Sequence, residues 1–132
     1  MKIEKTISLI LFLSLCLVLF AQQVTKEIPA KVNSYKNPFV STNTKALEQG
    51  EKIYRKQCMV CHGETGLGDG PYAITMRNKP ASFKDDIVMN RTDGALFWWI
   101  LEGGNDMKPY KDVLEEEDIW KLVLYTRKLQ GN

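Results

Sequence analysis

Two cysteines and a histidine stand within five residues of one another, in the run Cys58-Met59-Val60-Cys61-His62. Thiols two residues apart can close a disulfide, cycle as a redox dithiol, grip a metal, or bond to a cofactor. The residue behind them decides. A C-x-x-C pair followed directly by histidine is the signature of c-type haem attachment. The two thiols add across the two vinyl groups on one edge of a porphyrin, and two intervening residues match the distance between those groups. The next residue, His62, is then brought to the iron, where an imidazole nitrogen can bind.

The rival chemistries fit less well. A structural zinc site takes four Cys or His ligands. Apart from Cys58, Cys61 and His62, the chain's remaining Cys is Cys16, inside an apolar N-terminal run, and no second His exists. A thioredoxin-like dithiol belongs in a βαβ context, and no run of alternating apolar and polar residues suggests strands. A plain disulfide leaves His62, the only histidine, without a role. The expectation is one covalent haem c, bonded by Cys58 and Cys61, with His62 as proximal iron ligand.

A second axial ligand cannot be histidine from this chain. Lysine or an open position remain, but methionine is the ligand that raises the potential of a c-type haem. Met59 lies inside the attachment loop and cannot reach across. Met76 and Met89 fall near short apolar segments and are read as core fillers, the ordinary use of a flexible thioether. Met107 follows a Gly103-Gly104 helix stop and precedes Pro109, in a loop able to fold over the other haem face. Met107 is therefore the expected distal ligand.

Helical elements are needed to position these residues. Ala46, Leu47, Gly50, Ile53, Tyr54 and Cys58 recur at three- and four-residue steps, which predicts a helix from about Thr44 leading into the motif. Gly63, Gly66, Gly68, Gly70 and Pro71 then make a loop. A short helix through Tyr72 to Arg77 is closed by Pro80. Thr92 or Asp93 can cap a helix through Ala95 to Leu101, stopped by Gly103-Gly104. A last helix runs from about Leu114 to Leu129, acidic in its first turn and basic in its last, as the helix dipole favours. The fold class is all-α. Trp98 and Trp99 diverge by about 100° on a helix, so one is expected near the haem, with the other in the core or partly exposed for a partner.

Residues 1–21 open with Lys2 and Lys5 and continue as an uncharged apolar run from Ile7 to Ala21. That is the shape of a secretory signal peptide, cleaved after Ala21. The run is short of the roughly 20 apolar residues of a membrane span, so an uncleaved anchor is the weaker alternative. Cys16 is followed by more apolar residues and is read as one of them, not as a lipid attachment point. Residues 22–43 are polar and irregular, with Pro29, Pro38 and spaced lysines, and read as a flexible arm. Residues 44–132 form the single domain. A formal net charge of +2 leaves no electrostatic footprint for nucleic acid.

From about Thr44 to Leu129 the chain resembles class I monohaem cytochromes c. The order of elements carries the likeness: helix, CMVCH, glycine-rich loop ending in Gly-Pro, a helix ending ILEGG, a methionine loop and a C-terminal helix. The stretch HGETGLGDGPYA resembles the c-type haem domains of bacterial oxidase and dehydrogenase subunits. The resemblance implies a helical fold wrapped around the haem with one edge exposed. It also implies that the Pro71 carbonyl accepts a hydrogen bond from His62, and that Gly50 and Tyr54 cross Leu122 and Tyr125. Met107-Lys108-Pro109 departs from relatives with proline directly after methionine. Arg77 and Arg91 are equally consistent with haem propionate partners and with ordinary surface charge.

The expected function is single-electron transfer with His62/Met107 ligation in a periplasmic respiratory chain, between donor and acceptor proteins, without enzymatic activity of its own. Membrane association would follow only if the N-terminal segment stays uncleaved. Two alternatives stand beside this. One is a five-coordinate haem for gas sensing or peroxide chemistry, which would require Met107 not to bind. The other is a fixed haem subunit of a larger membrane oxidoreductase complex.

Overall fold

The computed structural model describes residues 26–131. The apolar segment and its expected cleavage point lie outside the described residues. Among the described residues are five α-helices: α1 (Thr44–Gln57), α2 (Met59–His62), α3 (Asp86–Met89), α4 (Asp93–Glu102) and α5 (Glu116–Gln130). The described residues contain no strand, only an isolated bridge between Gly104 and Met107, so the all-α expectation holds. No helix among the described residues is long and apolar enough to cross a membrane.

Capping sets the helix starts. The Asn43 side chain accepts from the Ala46 N–H at 3.0 Å to open α1, and Thr92 Oγ1 accepts from the Ala95 N–H at 3.1 Å to open α4. Such a cap contributes about 1 kcal/mol. Expected boundaries agree within two residues for α1, α4 and α5. The helix expected over Tyr72 to Arg77 contracts to a 3-10 turn, Ala73–Thr75, with Met76 already extended. Helix α3 is too short to leave a periodic signature, since one turn has no second turn to repeat it.

The principal helix pair is α1 on α5. Gly50 is what lets them approach: a Cβ there would run into the Lys121 carbonyl oxygen and meet Tyr125 Cβ at 3.1 Å. Beside it Tyr54, Leu122 and Tyr125 form one buried cluster, with the Tyr54 and Tyr125 rings 5.3 Å apart. A second cluster joins Leu96 and Phe97 of α4 to Ile119 and Val123 of α5, and Phe97 stacks on Trp120 at 4.2 Å. Burying each such side chain stabilises the fold by about 1.5–3 kcal/mol.

The expectation of a loosely ordered arm is corrected for residues 26–43. This stretch is a strap laid along α4. Its 3-10 turn, Ala30–Ser34, buries Val32 to 3 % exposure. The Val32 carbonyl lies so close to Gly94 that no Cβ would fit there. Thr92 Oγ1 donates to Asn33 Oδ1 at 3.1 Å, and Asn37 Nδ2 donates to the Trp120 carbonyl at 2.9 Å. The physical reason lies in α4, where Ala95 to Leu101 is apolar all round. A helix of that kind must be covered on every side. Leu96, Trp99 and Ile100 face a cavity, while Phe97, Trp98 and Leu101 line a groove with the strap residues Pro29, Val32 and Tyr35.

Candidate functional site

The site is built at the junction of α1 and α2. Cys58 ends α1, its N–H bonded to the Tyr54 carbonyl at 2.8 Å, and the chain turns at once into α2. Cys61 N–H and His62 N–H both return to the Cys58 carbonyl, at 3.1 and 2.9 Å. Residues three and four apart on a helical turn share a face. The motif spacing therefore sends both thiols and the imidazole to one side. All three border a cavity of about 640 Å³, within the size range of small-molecule and cofactor sites.

The glycine-rich loop is folded back onto this turn. Gly68 N–H bonds the His62 carbonyl at 2.9 Å, Gly70 N–H the Cys61 carbonyl at 3.2 Å, and Tyr72 N–H the Val60 carbonyl at 2.9 Å. The buried Tyr54 hydroxyl donates to the Gly63 carbonyl at 2.6 Å. The Val60, Cys61, His62 and Gly63 carbonyls thus each have a partner, which holds the turn still.

Both cysteines are free thiols. Burial pushes the Cys58 thiol up to about 12, against the opposing pull of the Lys108 ammonium. Cys58 is therefore a neutral thiol, unlike the low-pKa thiolate of a redox dithiol. Burial pushes His62 down to about 4, so its imidazole is neutral at physiological pH, the form that ligates metal. Among the described residues, no group of three or more His, Cys, Asp and Glu side chains is arranged to hold a metal ion.

The expected hydrogen bond between His62 and the Pro71 carbonyl is not formed. His62 Nδ1 is buried and has no hydrogen-bond partner. Pro71 is exposed, and the ring is seated by packing against Phe83, with centroids 4.9 Å apart and planes tilted by 31°. Phe83 is itself held by its N–H to the Gly66 carbonyl at 2.7 Å and by its carbonyl, which accepts from Gln130 Nε2 at 3.1 Å. Phe83 escaped sequence reasoning because it lies 21 residues after His62 in an irregular segment.

Met107 borders the same cavity. Its loop is closed at the base: Gly104 N–H bonds the Met107 carbonyl at 3.0 Å, and Met107 N–H bonds the Gly104 carbonyl at 2.9 Å. Beyond it Tyr110 N–H returns to the Ile100 and Leu101 carbonyls at 3.2 and 3.1 Å. Met59 packs in the Tyr54 cluster, and Met89 stands outside the cavity. Met76, expected as core filler, borders the cavity instead, because the 3-10 turn ends one residue before it and its backbone turns extended. Arg91 also reaches the cavity wall, its guanidinium 5.5 Å over the Trp99 ring. Arg77 does not.

The donor set and the space fit haem. Two unpaired thiols and a neutral imidazole share one face, an orphaned ring nitrogen is buried there, and Leu96, Trp99 and Ile100 add apolar lining to the same cavity. An all-helical shell around such a cavity defines a c-type cytochrome domain. The family model for cytochrome c oxidase, cbb3-type, subunit III matches residues 45–125, and the chain belongs to that family. A solved component of the Kuenenia stuttgartiensis reducing HAO-like protein complex is similar in structure, with a TM-score of 0.60 and 25 % identity. The likeness covers 70 % of this chain and 46 % of that one, so this chain spans less than half the length of that protein.

Proposed function

We propose that this chain transfers single electrons through one haem c bonded by thioether links to Cys58 and Cys61. His62 binds the iron as proximal ligand and Met107 as distal ligand. When bound, the haem supplies one-electron ferric/ferrous chemistry. The observation that carries the reading is the convergence of these four side chains on one cavity from two separate segments of the chain.

The chain's own residues supply the rest. His62 is offered in its neutral form and seated by Phe83. Met107 is favoured over Met76 because its loop is braced at both ends. A ligand held in place before and after transfer keeps reorganisation small, and a thioether favours the ferrous state. Arg91 and Lys79, on the cavity wall, are suited to the carboxylates of a propionate edge. The N-terminal segment would direct the chain to the periplasm, with donor and acceptor proteins meeting it there.

A second reading is favoured by two observations. The matched family is described as an oxidase subunit, and the similar structure is a component of a protein complex. This chain would then pass electrons as a fixed subunit of an oxidoreductase complex.

The test is the absorption spectrum of purified protein, oxidised and reduced, with and without carbon monoxide. A low-spin spectrum carrying the far-red band of thioether-bound ferric haem, indifferent to the gas, is expected. A high-spin spectrum that shifts on adding the gas would overturn Met107 ligation and favour gas binding or peroxide chemistry. Detergent extraction followed by sizing separates the two electron-transfer readings, since a fixed subunit migrates with its partners.

A further inference from the structure

We propose that Lys26 is a positioning residue for the loop that presents Met107, so that the N-terminal strap acts on the distal side of the haem site. The proposal rests on the reading that Met107 binds the iron.

The last four carbonyls of an α-helix lack partners inside it. In α4 three of these are met locally. The Trp99 carbonyl accepts from Gly103 N–H at 2.9 Å. Ile100 and Leu101 accept from the Tyr110 N–H, and Leu101 also from Lys111 N–H at 3.1 Å. The fourth, Glu102, and the Gly103 carbonyl after it both accept from Lys26 Nζ, at 2.7 and 2.9 Å. The contact spans 76 and 77 residues of sequence. A cation at this end of a helix also meets the negative pole of its dipole. The ammonium lies 4.9 Å from the Trp98 ring centroid, which further restricts where it can sit.

The gripped carbonyl is mechanically close to the ligand. Gly103 adopts φ +63, a conformation that favours glycine, and a Cβ on it would meet the Lys108 carbonyl carbon and the Pro109 nitrogen at 2.7 Å. Gly103 therefore lies against the returning limb of the loop. The next residue, Gly104, is paired to Met107 by two hydrogen bonds. A shift of Gly103 displaces both limbs at once. The strap brackets α4 end to end, with Val32 against Gly94 at one end and Lys26 on Gly103 at the other. The ion pair to Glu102, at 4.0 Å and partly exposed, adds little; the two carbonyl bonds carry the effect.

The test uses ferric holoprotein of the parent, Lys26→Met and Lys26→Arg. The methionine keeps an apolar stem over Trp98 and removes the ammonium, while arginine restores a cationic donor. Stopped-flow cyanide binding reports how readily Met107 leaves the iron, and the far-red band reports whether it is bound. Lys26→Met should bind cyanide about five-fold faster with a weakened band, the scale of one ordinary solvent-exposed hydrogen bond. Lys26→Arg should stay within about two-fold of the parent. Parent-like cyanide binding and a full band in Lys26→Met would overturn the proposal, even if its melting temperature fell. A parent without the far-red band, or a Met107→Ala variant that keeps it, would overturn the ligation reading and this proposal with it. That pattern is distinct from a Met107-dependent band indifferent to Lys26.

Discussion

The Tyr110 hydroxyl donates to the Gln57 carbonyl at 2.8 Å across 53 residues of sequence. Gln57 is the last residue of α1, directly before Cys58, and Tyr110 stands just after the Met107 loop. One hydrogen bond thus joins the segment that carries the attachment motif to the segment that carries the second candidate ligand. Tyr110→Phe should lower stability by about 1 kcal/mol, since a carbonyl loses its partner at a part-buried position. Denaturant titration of the holoprotein would read this as a lower midpoint at unchanged slope, and an unchanged midpoint would deny the bond any structural weight.

Met107→Ala should lower the reduction potential by on the order of 0.1 V, a fraction of the roughly 0.8 V over which axial ligands tune haem. It should also open the ferric iron to added imidazole or cyanide. Met76→Ala, which removes the other cavity-facing thioether, should leave both properties close to the parent. Spectroelectrochemical titration of the two variants decides between the methionines, and the reverse pattern would transfer the ligand role to Met76.

Gly50→Ala weighs two opposed effects. Alanine favours a helix over glycine by up to about 1 kcal/mol. Against this, the new methyl group meets the Lys121 carbonyl on the partner helix, and backbone cannot step aside as a side chain can. Overpacking of this kind costs about 1–3 kcal/mol, so the variant should be net destabilised. Thermal unfolding that shows a stabilised variant would mean that α1 and α5 slide apart without loss.

Burial raises the phenol groups of both Tyr54 and Tyr110 above their ordinary value near 10. The unfolded chain then releases these protons first as the solution turns alkaline. The stability they contribute is present in full below about pH 10 and is lost as pH rises from there toward their folded values. Unfolding free energy measured between about pH 9 and 11 should fall with pH, and the fall should be shallower in Tyr54→Phe. Equal slopes in parent and variant would show that the phenol ionises equally in both states.

Phe83→Leu keeps an apolar contact under His62 but removes the flat ring. A loss of about 1 kcal/mol is expected from the lost ring–ring contact and volume. The electron paramagnetic resonance of the ferric protein should shift as the imidazole plane is freed to turn. A spectrum identical to the parent's would mean that the ring orientation is set elsewhere.

What the residues declared locally was local in origin. The Cys58-x-x-Cys61-His62 spacing, the caps at Thr92 and Gly103, and the three- and four-residue apolar steps of α1 each depend on neighbours within a turn or two. Such features survive in a linear reading because backbone geometry enforces them wherever the chain goes. The all-α class and the pairing of Gly50 and Tyr54 with the C-terminal helix followed from them, the latter through the family likeness.

Tertiary structure alone decided the rest. The strap could not be foreseen, because its apolar residues, among them Ile28, Val32, Tyr35 and Phe39, keep no sustained period, and the burial of Val32 depends on a partner, Gly94, in a distant helix. The all-round apolar α4 announced that something must cover it without saying what. The seat of His62 on Phe83, the entry of Met76 into the cavity, the Tyr110–Gln57 bond and the grip of Lys26 on the Gly103 carbonyl share one physical cause. Each joins residues far apart in the chain through irregular backbone, where no period exists to register them and only the folded path brings donor to acceptor.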